Sequence, residues 1–312
     1  MKVLFLVQAK QKIILDRLYD AIESNCDCDT RWLDANEQKN LKKYFRDHVN
    51  VNKYDRIMVI LRSKKIMRQA RFCRSIPNLV FLEHDAWQNY AQGKYFGRFS
   101  RLYKKVPGAR VISSGYCVSK RLKDEGVDCC FVSKGYDQEL LADKGVKRDL
   151  QMAFVGSLEN DIYKERKAFL SELVAHLPVK IMKTKSGGDY CDTLNRIKYF
   201  ISADVGFREY MIKNFEAMAC GCLLFAWNQG DEENGALGFS DMENVVLYSS
   251  LDELKKKIKI IDSDPELYER IRLAGKKLVE NNYRFDLVGK RVVNCLAPEI
   301  EKFHQKKTSF WK

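Results

Sequence analysis

Lys213-Asn214-Phe215-Glu216-Ala217-Met218-Ala219-Cys220-Gly221-Cys222-Leu223-Leu224-Phe225-Ala226-Trp227 reads as a short helix that a glycine stops and an apolar strand follows without a linker. Gly221 suits the left-handed residue that closes a helix, and the run after it has the continuous apolar character of a buried strand. Working outward, the same alternation recurs on both sides. Upstream, Gln151–Val155 leads to Gly156 and a helical stretch Arg166–His176, then Val179–Lys183, a helical Thr193–Ile201 and a strand Asp204–Phe207. Downstream, Val245–Tyr248 completes the strands. Two closing helices follow: Pro265–Asn281, with Asp264 as its cap and Pro265 at its first position, and Phe285–Phe303, interrupted at Pro298.

The first half repeats the pattern with Val3–Val7 then Ile13–Ile22, Arg56–Leu61 then Lys64–Arg74, Leu79–Leu82 then a longer helical stretch, and Val111–Ser113 then Val118–Glu125. Strands that alternate with helices predict an α/β fold with parallel sheets and right-handed crossovers. A polar link, Lys144–Asp149, separates the two runs. We therefore expect two Rossmann-like domains, 1–149 and 150–312, with the last helix, about 285–303, able to return to the first. The tail Lys306–Lys312 reads as frayed.

With 312 residues, 46% of them hydrophobic and 31% charged, the chain has ample material for two cores, which excludes disorder as its main state. No stretch approaches the ~20 apolar residues of a membrane-spanning helix, and the N-terminus lacks a signal-peptide pattern, so a cytoplasmic location is expected. Ten cysteines are scattered without a zinc-knuckle spacing and only four histidines are present, so neither a disulfide framework nor a metal site is expected. The net charge of +13 points to an anionic partner. It is unevenly spread: residues 1–149 carry 30 basic and 18 acidic side chains, residues 150–312 carry 25 and 24.

No Asp or Glu falls between Asp55 and Glu83 or between Asp85 and Asp124. Lys64, Arg68 and Arg71 recur at helical spacing in the first gap. In the second, Lys94, Arg98, Arg101 and Lys105 share one helical face while Tyr95, Phe99, Leu102 and Val106 share another. A solvated face over an ordinary core explains one such helix; two acid-free stretches in one domain favour an anionic surface or acceptor.

In wound parallel sheets ligands bind beyond the carboxyl ends of the strands, so four loops are candidates. At Phe154-Val155-Gly156-Ser157-Leu158 a missing side chain lets a phosphate approach backbone amides, and Lys164, Arg166 and Lys167 downstream could neutralise it. At Lys213-Asn214-Phe215-Glu216 a carboxylate inside a buried helix requires hydrogen-bond donors, and a ribose diol supplies them. Glu83-His84-Asp85 puts a titratable pair at a strand end. Lys134-Gly135-Tyr136-Asp137 reads as a turn at the domain junction.

Phe154-Val155-Gly156-Ser157-Leu158, Ala203-Asp204-Val205 and Phe215-Glu216-Ala217-Met218-Ala219-Cys220-Gly221, in that order and spacing, resemble the donor-domain motifs of GT-B glycosyltransferases of the "glycosyl transferases group 1" family. The ending Asn282-Tyr283-Arg284-Phe285 is similar to the CgeB-like branch. His84-Asp85, Val111-Ile112-Ser113-Ser114 and Lys134-Gly135-Tyr136-Asp137 resemble the first-domain strand ends and the hinge.

The resemblance implies two facing Rossmann-like domains, with a nucleotide-sugar donor on the second and a glycan or lipid-linked acceptor on the first. It implies donor binding by Gly156, Ser157, Arg166, Lys167, Lys213, Asn214, Phe215 and Glu216, with Glu216 on the ribose, and catalytic roles for His84 and Asp85. It implies no cofactor and no metal, basic groups and helix N-termini stabilising the departing diphosphate. Arg208 stands where the family has its first glutamate, with Glu209 beside it.

Together these readings give a metal-independent hexosyl-type transferase of cell-surface polysaccharide or lipopolysaccharide synthesis. It would be peripheral on the inner face of the plasma membrane, with Lys64, Arg68, Arg71, Lys94, Arg98, Arg101 and Lys105 as its membrane or acceptor surface and no nucleic-acid partner. A non-catalytic nucleotide-binding module and a basic nucleic-acid-binding protein are the alternatives.

Overall fold

The computed structural model describes residues 1–9, 15–159 and 163–300, and its contacts group them into two compact units, 1–132 with 289 onward, and 133–288.

The first unit is a six-stranded parallel sheet in the order β2-β1-β3-β4-β5-β6: β1 (Lys2–Gln8), β2 (Asp27–Leu33), β3 (Arg56–Ile60), β4 (Leu79–Glu83), β5 (Arg110–Ser113) and β6 (Cys129–Phe131). The helices between them are α1 (Asp16–Glu23), α2 (Leu41–His48), α3 (Ser63–Met67), α4 (Ala70–Cys73), α5 (Arg98–Lys105) and α6 (Tyr116–Asp124). Val3 to Val7 are fully buried, as befits a strand flanked by two others and covered on both faces. β2 was not expected, because an edge strand with one row of neighbours keeps a polar sequence, Asp27-Cys28-Asp29-Thr30-Arg31. Lys64–Arg74, expected as one helix, is two short ones. Lys94 precedes α5, because Gly97 adopts a left-handed conformation (φ 63°) and Asn89 Oδ1 accepts from the Phe99 and Ser100 amides, which fixes the helix start at Arg98.

The second unit is a five-stranded parallel sheet, β11-β10-β9-β7-β8: β7 (Leu150–Val155), β8 (Lys180–Met182), β9 (Ile197–Ser202), β10 (Leu223–Trp227) and β11 (Val246–Tyr248). Its helices are α7 (Lys164–His176), α8 (Gly188–Arg196), α9 (Ile212–Ala219), α10 (Asp231–Ala236), α11 (Leu251–Ser263), α12 (Pro265–Asn282) and the start of α13 (Phe285–Leu296). Asp264 caps α12 through the Leu267 amide (2.9 Å), and Gly221 closes α9 at φ 75°. The core is formed by Phe154, Phe169, Leu170, Tyr199, Phe225, Tyr248 and their neighbours.

Two expectations are corrected here. Thr193–Ile201 is not a helix: α8 ends at Arg196 and the apolar Ile197–Ser202 is β9, while Arg148 takes the Asn195 and Ile197 carbonyls at the junction (3.1 and 2.9 Å). Asp204–Phe207 is not a strand but a turn that contains Gly206 at φ 78°.

The contact boundary lies at 132/133, whereas the sequence placed it at 149. Residues 133–149 are bonded into the second unit: Tyr136 exchanges backbone hydrogen bonds with Tyr283 and Phe285, the Lys144 amide donates to Asn195 Oδ1, and Arg148 also reaches the Cys220 carbonyl. At the other end, Gly289 lies against Ala21, and Arg56 and Arg110 take carbonyls of residues 295–299, so the chain from Gly289 joins the first unit. Ile13, Ile14, Phe303 and the tail Lys306–Lys312 lie outside the described residues. No helix among the described residues is long and apolar enough to cross a membrane.

Candidate functional site

Counted within the second unit, the strand order is 2-1-3-4-5, so β7 has β8 on one side and β9 on the other and the chain reverses direction between them. Such a switch point leaves a crevice beyond the carboxyl ends of its two strands. β7 delivers Val155-Gly156-Ser157 there and β9 delivers Ala203-Asp204.

Asp204 organises this end of the sheet. Its carboxylate is buried and accepts from Arg166 Nη2 (2.5 Å), Asn214 Nδ2 (2.8 Å), the Met211 amide (3.1 Å) and the Ser202 hydroxyl (3.2 Å). Four donors offset the desolvation of one carboxylate. One of them, the Met211 amide, belongs to the residue that opens α9, where negative charge is favoured. Arg166 therefore has another task than the one expected of it. Its Nε donates to the Ala203 carbonyl (3.1 Å), and its guanidinium is packed among the rings of Phe154, Tyr163 and Phe207. It fastens α7 to the end of β9 as a buried ion pair. Its position was legible: Arg166, Phe169, Leu170 and Leu173 share the buried stripe of α7, while Lys167 lies on the exposed side.

Six of the eight residues of α9 are buried, which places Glu216 inside the unit. Burial raises the Glu216 carboxyl above the ordinary range, while a hydrogen bond from the Tyr190 hydroxyl to Oε2 (2.6 Å) and the nearby Lys213 pull it down. Lys213 extends its ammonium to the Val155 carbonyl (2.7 Å), 5.4 Å from the centre of the Tyr190 ring. A methyl group added at Gly156 would lie 3.5 Å from that ammonium and 2.7 Å from Phe154 Cζ. Gly156, Lys213, Tyr190 and Glu216 are thus one cluster at the switch point, and at Gly156 the Phe154 ring and the Lys213 ammonium close in on the backbone. Ser157 accepts weakly from the Glu159 amide (3.4 Å).

Asn214 and Phe215, expected to touch donor, are interior instead. Asn214 is spent on Asp204 and the Met211 carbonyl, and Phe215 packs on Tyr283 and Phe239 with ring centres 4.8 and 6.1 Å apart. A residue that sequence reasoning missed is Tyr190. It stands in the first turn of α8, a helix expected to begin only at Thr193, and its one signal was the glycine pair, Gly187-Gly188, just before it.

Beside the switch point, Arg208 is exposed and left-handed (φ 57°). The next residue, Glu209, turns inward to form a buried ion pair with Lys134. Lys134 stands on the turn whose Gly135 lies so close to the Tyr283 carbonyl that no side chain fits.

In the first unit, β4 ends at Glu83, His84 is half-buried and Asp85 exposed. The Asp85 amide donates to Glu83 Oε1 (2.9 Å) before the 3-10 turn Ala86–Asn89. Lys64, Arg68, Arg98, Arg101 and Lys105 come together with Met67 and Leu102 around one concavity of about 280 Å³, formed where α3 and α5 pack. Arg71 and Lys94 do not line it. Cys73, Cys129, Cys191, Cys220 and Cys222 are buried and the other five cysteines half-exposed; all ten are free thiols. Among the described residues no group of three His, Cys, Asp or Glu is arranged to hold a metal ion.

Comparison with known proteins bears on the fold and the family. The glycosyl transferase-like family matches residues 139–292. No curated protein matches the chain. Among solved structures, Anabaena HepE (Alr3699) in complex with UDP and glucose superposes with a TM-score of 0.69 at 14% identity, covering 96% of this chain and 100% of that one. Sucrose-phosphate synthase (tll1590) from Thermosynechococcus elongatus gives 0.66 at 10% identity, covering 94% and 98%. A glycosyltransferase from Rickettsia africae gives 0.60 at 11%, covering 95% and 97%. Identities this low carry the fold alone. With the two parallel sheets they show an α/β fold that matches GT-B glycosyltransferases, and the family match makes residues 139–292 glycosyl transferase-like.

Proposed function

We propose that this glycosyltransferase moves a hexosyl group from a nucleoside-diphosphate sugar held on the second unit to a glycan or lipid-linked acceptor. The acceptor would be of the cell-surface polysaccharide or lipopolysaccharide type, reached at the inner membrane surface. The observation that carries the donor assignment is the Gly156–Lys213–Glu216 cluster at the switch point.

Each member has a chemical task. The absence of a side chain at Gly156 lets a diphosphate approach the strand-end amides. The Lys213 ammonium, 3.5 Å from where a Cβ on Gly156 would be, stands at the same strand end and stabilises charge on the departing diphosphate. That cationic group is why the proposal includes no metal ion and no cofactor. Glu216 has Oε2 engaged by Tyr190 and Oε1 left to accept from ribose hydroxyls. HepE, solved with UDP and glucose, makes UDP the first nucleotide to test. His84 and Asp85 are the acid–base candidates of the first unit. The membrane placement rests on the excess of basic over acidic side chains in residues 1–149.

A thermal-shift panel of UDP, GDP, ADP, CMP and dTDP on wild type and Glu216→Ala tests the donor assignment, since a ligand at ~100 times its Kd adds about 2.7 kcal/mol. One diphosphate that stabilises wild type but not Glu216→Ala supports it. Equal shifts in both proteins would move the site elsewhere, and no shift with any nucleotide would overturn the donor reading. For the membrane placement, liposomes of anionic lipid should lose the variant with Lys94, Arg98, Arg101 and Lys105 all changed to Glu; retained sedimentation rejects it.

A second reading, a nucleotide-binding module without transfer, is favoured by one observation. The family's first-glutamate position is an exposed Arg208, while Glu209 is occupied with Lys134. Release of free sugar or transfer product from a bound donor eliminates it.

A further inference from the structure

We propose that the concavity between α3 and α5 of the first unit is a discrete binding site for a phosphomonoester or diphosphate group, separate from the donor cluster of the second unit. This deepens the proposed function by giving the acceptor a phosphoryl group, but the site itself stands on its own geometry.

Five cations line one depression: Lys64 and Arg68 at and just beyond the ends of α3, and Arg98, Arg101 and Lys105 along one side of α5. Acidic side chains are absent from its lining. Among the described residues Lys64, Arg68, Arg98 and Lys105 form no ion pair, whereas Lys104, one residue away and facing elsewhere, reaches Glu125 (3.7 Å). Like charges held together without carboxylates repel one another, an arrangement that a bound anion relieves. Arg101 is partly anchored, its Nε donating to the Gly97 carbonyl (3.1 Å), so one fork of the site is held in place before any ligand arrives.

The shape narrows the ligand. About 280 Å³ is at the lower edge of the ~300–1,000 Å³ of small-molecule pockets, room for a compact head group. Met67 and Leu102 are the apolar residues of the lining, and no aromatic side chain belongs to it, so the base-stacking platform of single-stranded nucleic acid is missing. A doubly charged phosphoryl group with several acceptor oxygens uses such a set of donors; a monoanionic carboxylate does not.

The test is titration calorimetry with inorganic pyrophosphate on the full chain in low salt, repeated with three variants. Arg68→Gln with Arg101→Gln should weaken binding at least tenfold, whereas Lys94→Gln, outside the depression, should change it less than twofold. Lys213→Ala reports on any pyrophosphate held at the donor cluster, and the binding that Arg68→Gln/Arg101→Gln weakens should persist in it. All three carry exposed or half-exposed substitutions, and unchanged circular dichroism and melting temperature confirm that they fold.

Absence of pyrophosphate binding overturns the proposal. So does equal weakening by Lys94→Gln, which would mean a diffuse field, or loss in Lys213→Ala alone, which would place the anion at the donor cluster. Vesicles then identify the source: selective binding to phosphatidic acid over phosphatidylglycerol at equal surface charge, lost in the Arg68→Gln/Arg101→Gln protein, assigns a lipid-borne phosphomonoester. Pyrophosphate binding without that selectivity assigns a soluble phosphorylated ligand. Tighter binding of a duplex oligonucleotide than of pyrophosphate, weakened equally by all three surface changes, would replace the site by a nucleic-acid surface. The UDP shift and its loss in Glu216→Ala are read separately, so failure here leaves the donor assignment standing and the reverse holds as well.

Discussion

In the second unit β7 and β9 diverge at the switch point, and beyond β9 stands a buried carboxylate, Asp204, gripped by Arg166. In the first unit β1 and β3 part in the same way, and the charges that set that unit apart stand outside, on α3 and α5. The strand order of the two switch points is the same, 2-1-3, yet one unit uses charge as internal structure and the other as surface. A buried ion pair fixes geometry because either partner alone is intolerable; an exposed cation costs little and answers to salt. Rigidity at the donor cluster and adaptability at the basic depression are therefore set by burial, with the same residue types.

The largest expected effect breaks the internal half of that comparison. Asp204→Ala leaves Arg166 buried without its partner and should cost about 3–5 kcal/mol in urea denaturation. The ion pair Arg110–Asp128 of the first unit is the control: Asp128 is a third exposed and Arg110 also holds the carbonyls of Cys295, Pro298 and Glu299, so Asp128→Ala should cost about 0–1 kcal/mol. Similar losses in the two variants would dissolve the contrast.

Next, Gly156→Ala places a methyl 2.7 Å from the buried Phe154 ring. Overpacking of this kind should cost about 1–3 kcal/mol, and with a methyl standing between the strand-end amides and the ligand, UDP binding should fall by at least tenfold. A loss of affinity without any loss of stability would show that the ring yields and that the methyl blocks the ligand directly.

These two residues also show how far the sequence could be read. α9, β10 and Gly221 were legible because a helix, a stopping glycine and an apolar strand leave one arrangement, and Glu216 stood out as the one carboxylate within that helix. Arg166 was misjudged by attending to its charge and not to its place on the Phe169–Leu173 stripe. β2 escaped because an edge strand needs no apolar alternation, and α8 because the helix and the strand β9 meet without a turn residue, the join at Ile197 being sealed by Arg148 from 49 residues away. The glycine pair before Tyr190 could have marked the start of α8 but not the role of Tyr190, since its hydrogen bond to Glu216 spans 26 residues and depends on the packing of α8 against the sheet. The basic depression was half legible: helical spacing aligned Arg98, Arg101 and Lys105, but only packing joins them to Lys64 and Arg68 and leaves Lys94 and Arg71 outside.

A smaller effect sharpens the internal half. Tyr190→Phe removes the hydroxyl that bonds to the buried Glu216 and should cost about 1–3 kcal/mol. The direction with pH follows from burial, which raises the Glu216 carboxyl above its unfolded value. Its neutral form is favoured in the folded state, so its contribution to stability is complete below the ordinary carboxylate range and is lost as pH rises through the raised value. Glu216→Gln should flatten that stretch of the stability profile, and Tyr190→Phe should extend it to higher pH. A profile unchanged by Glu216→Gln would mean that the carboxyl is not the group that titrates.

The smallest effect belongs to the surface half. Arg71→Gln and Lys94→Gln alter charges that are exposed and lie outside the depression, so each should shift stability by no more than about 0.5 kcal/mol. Their effect should appear only in the rate of association with anionic vesicles, through the summed field of the unit, and should vanish as added salt shortens the Debye length to about 3 Å at 1 M. A change in the dissociation rate instead would mean that these side chains touch the bound surface, and the boundary drawn around the five lining cations would then be too narrow.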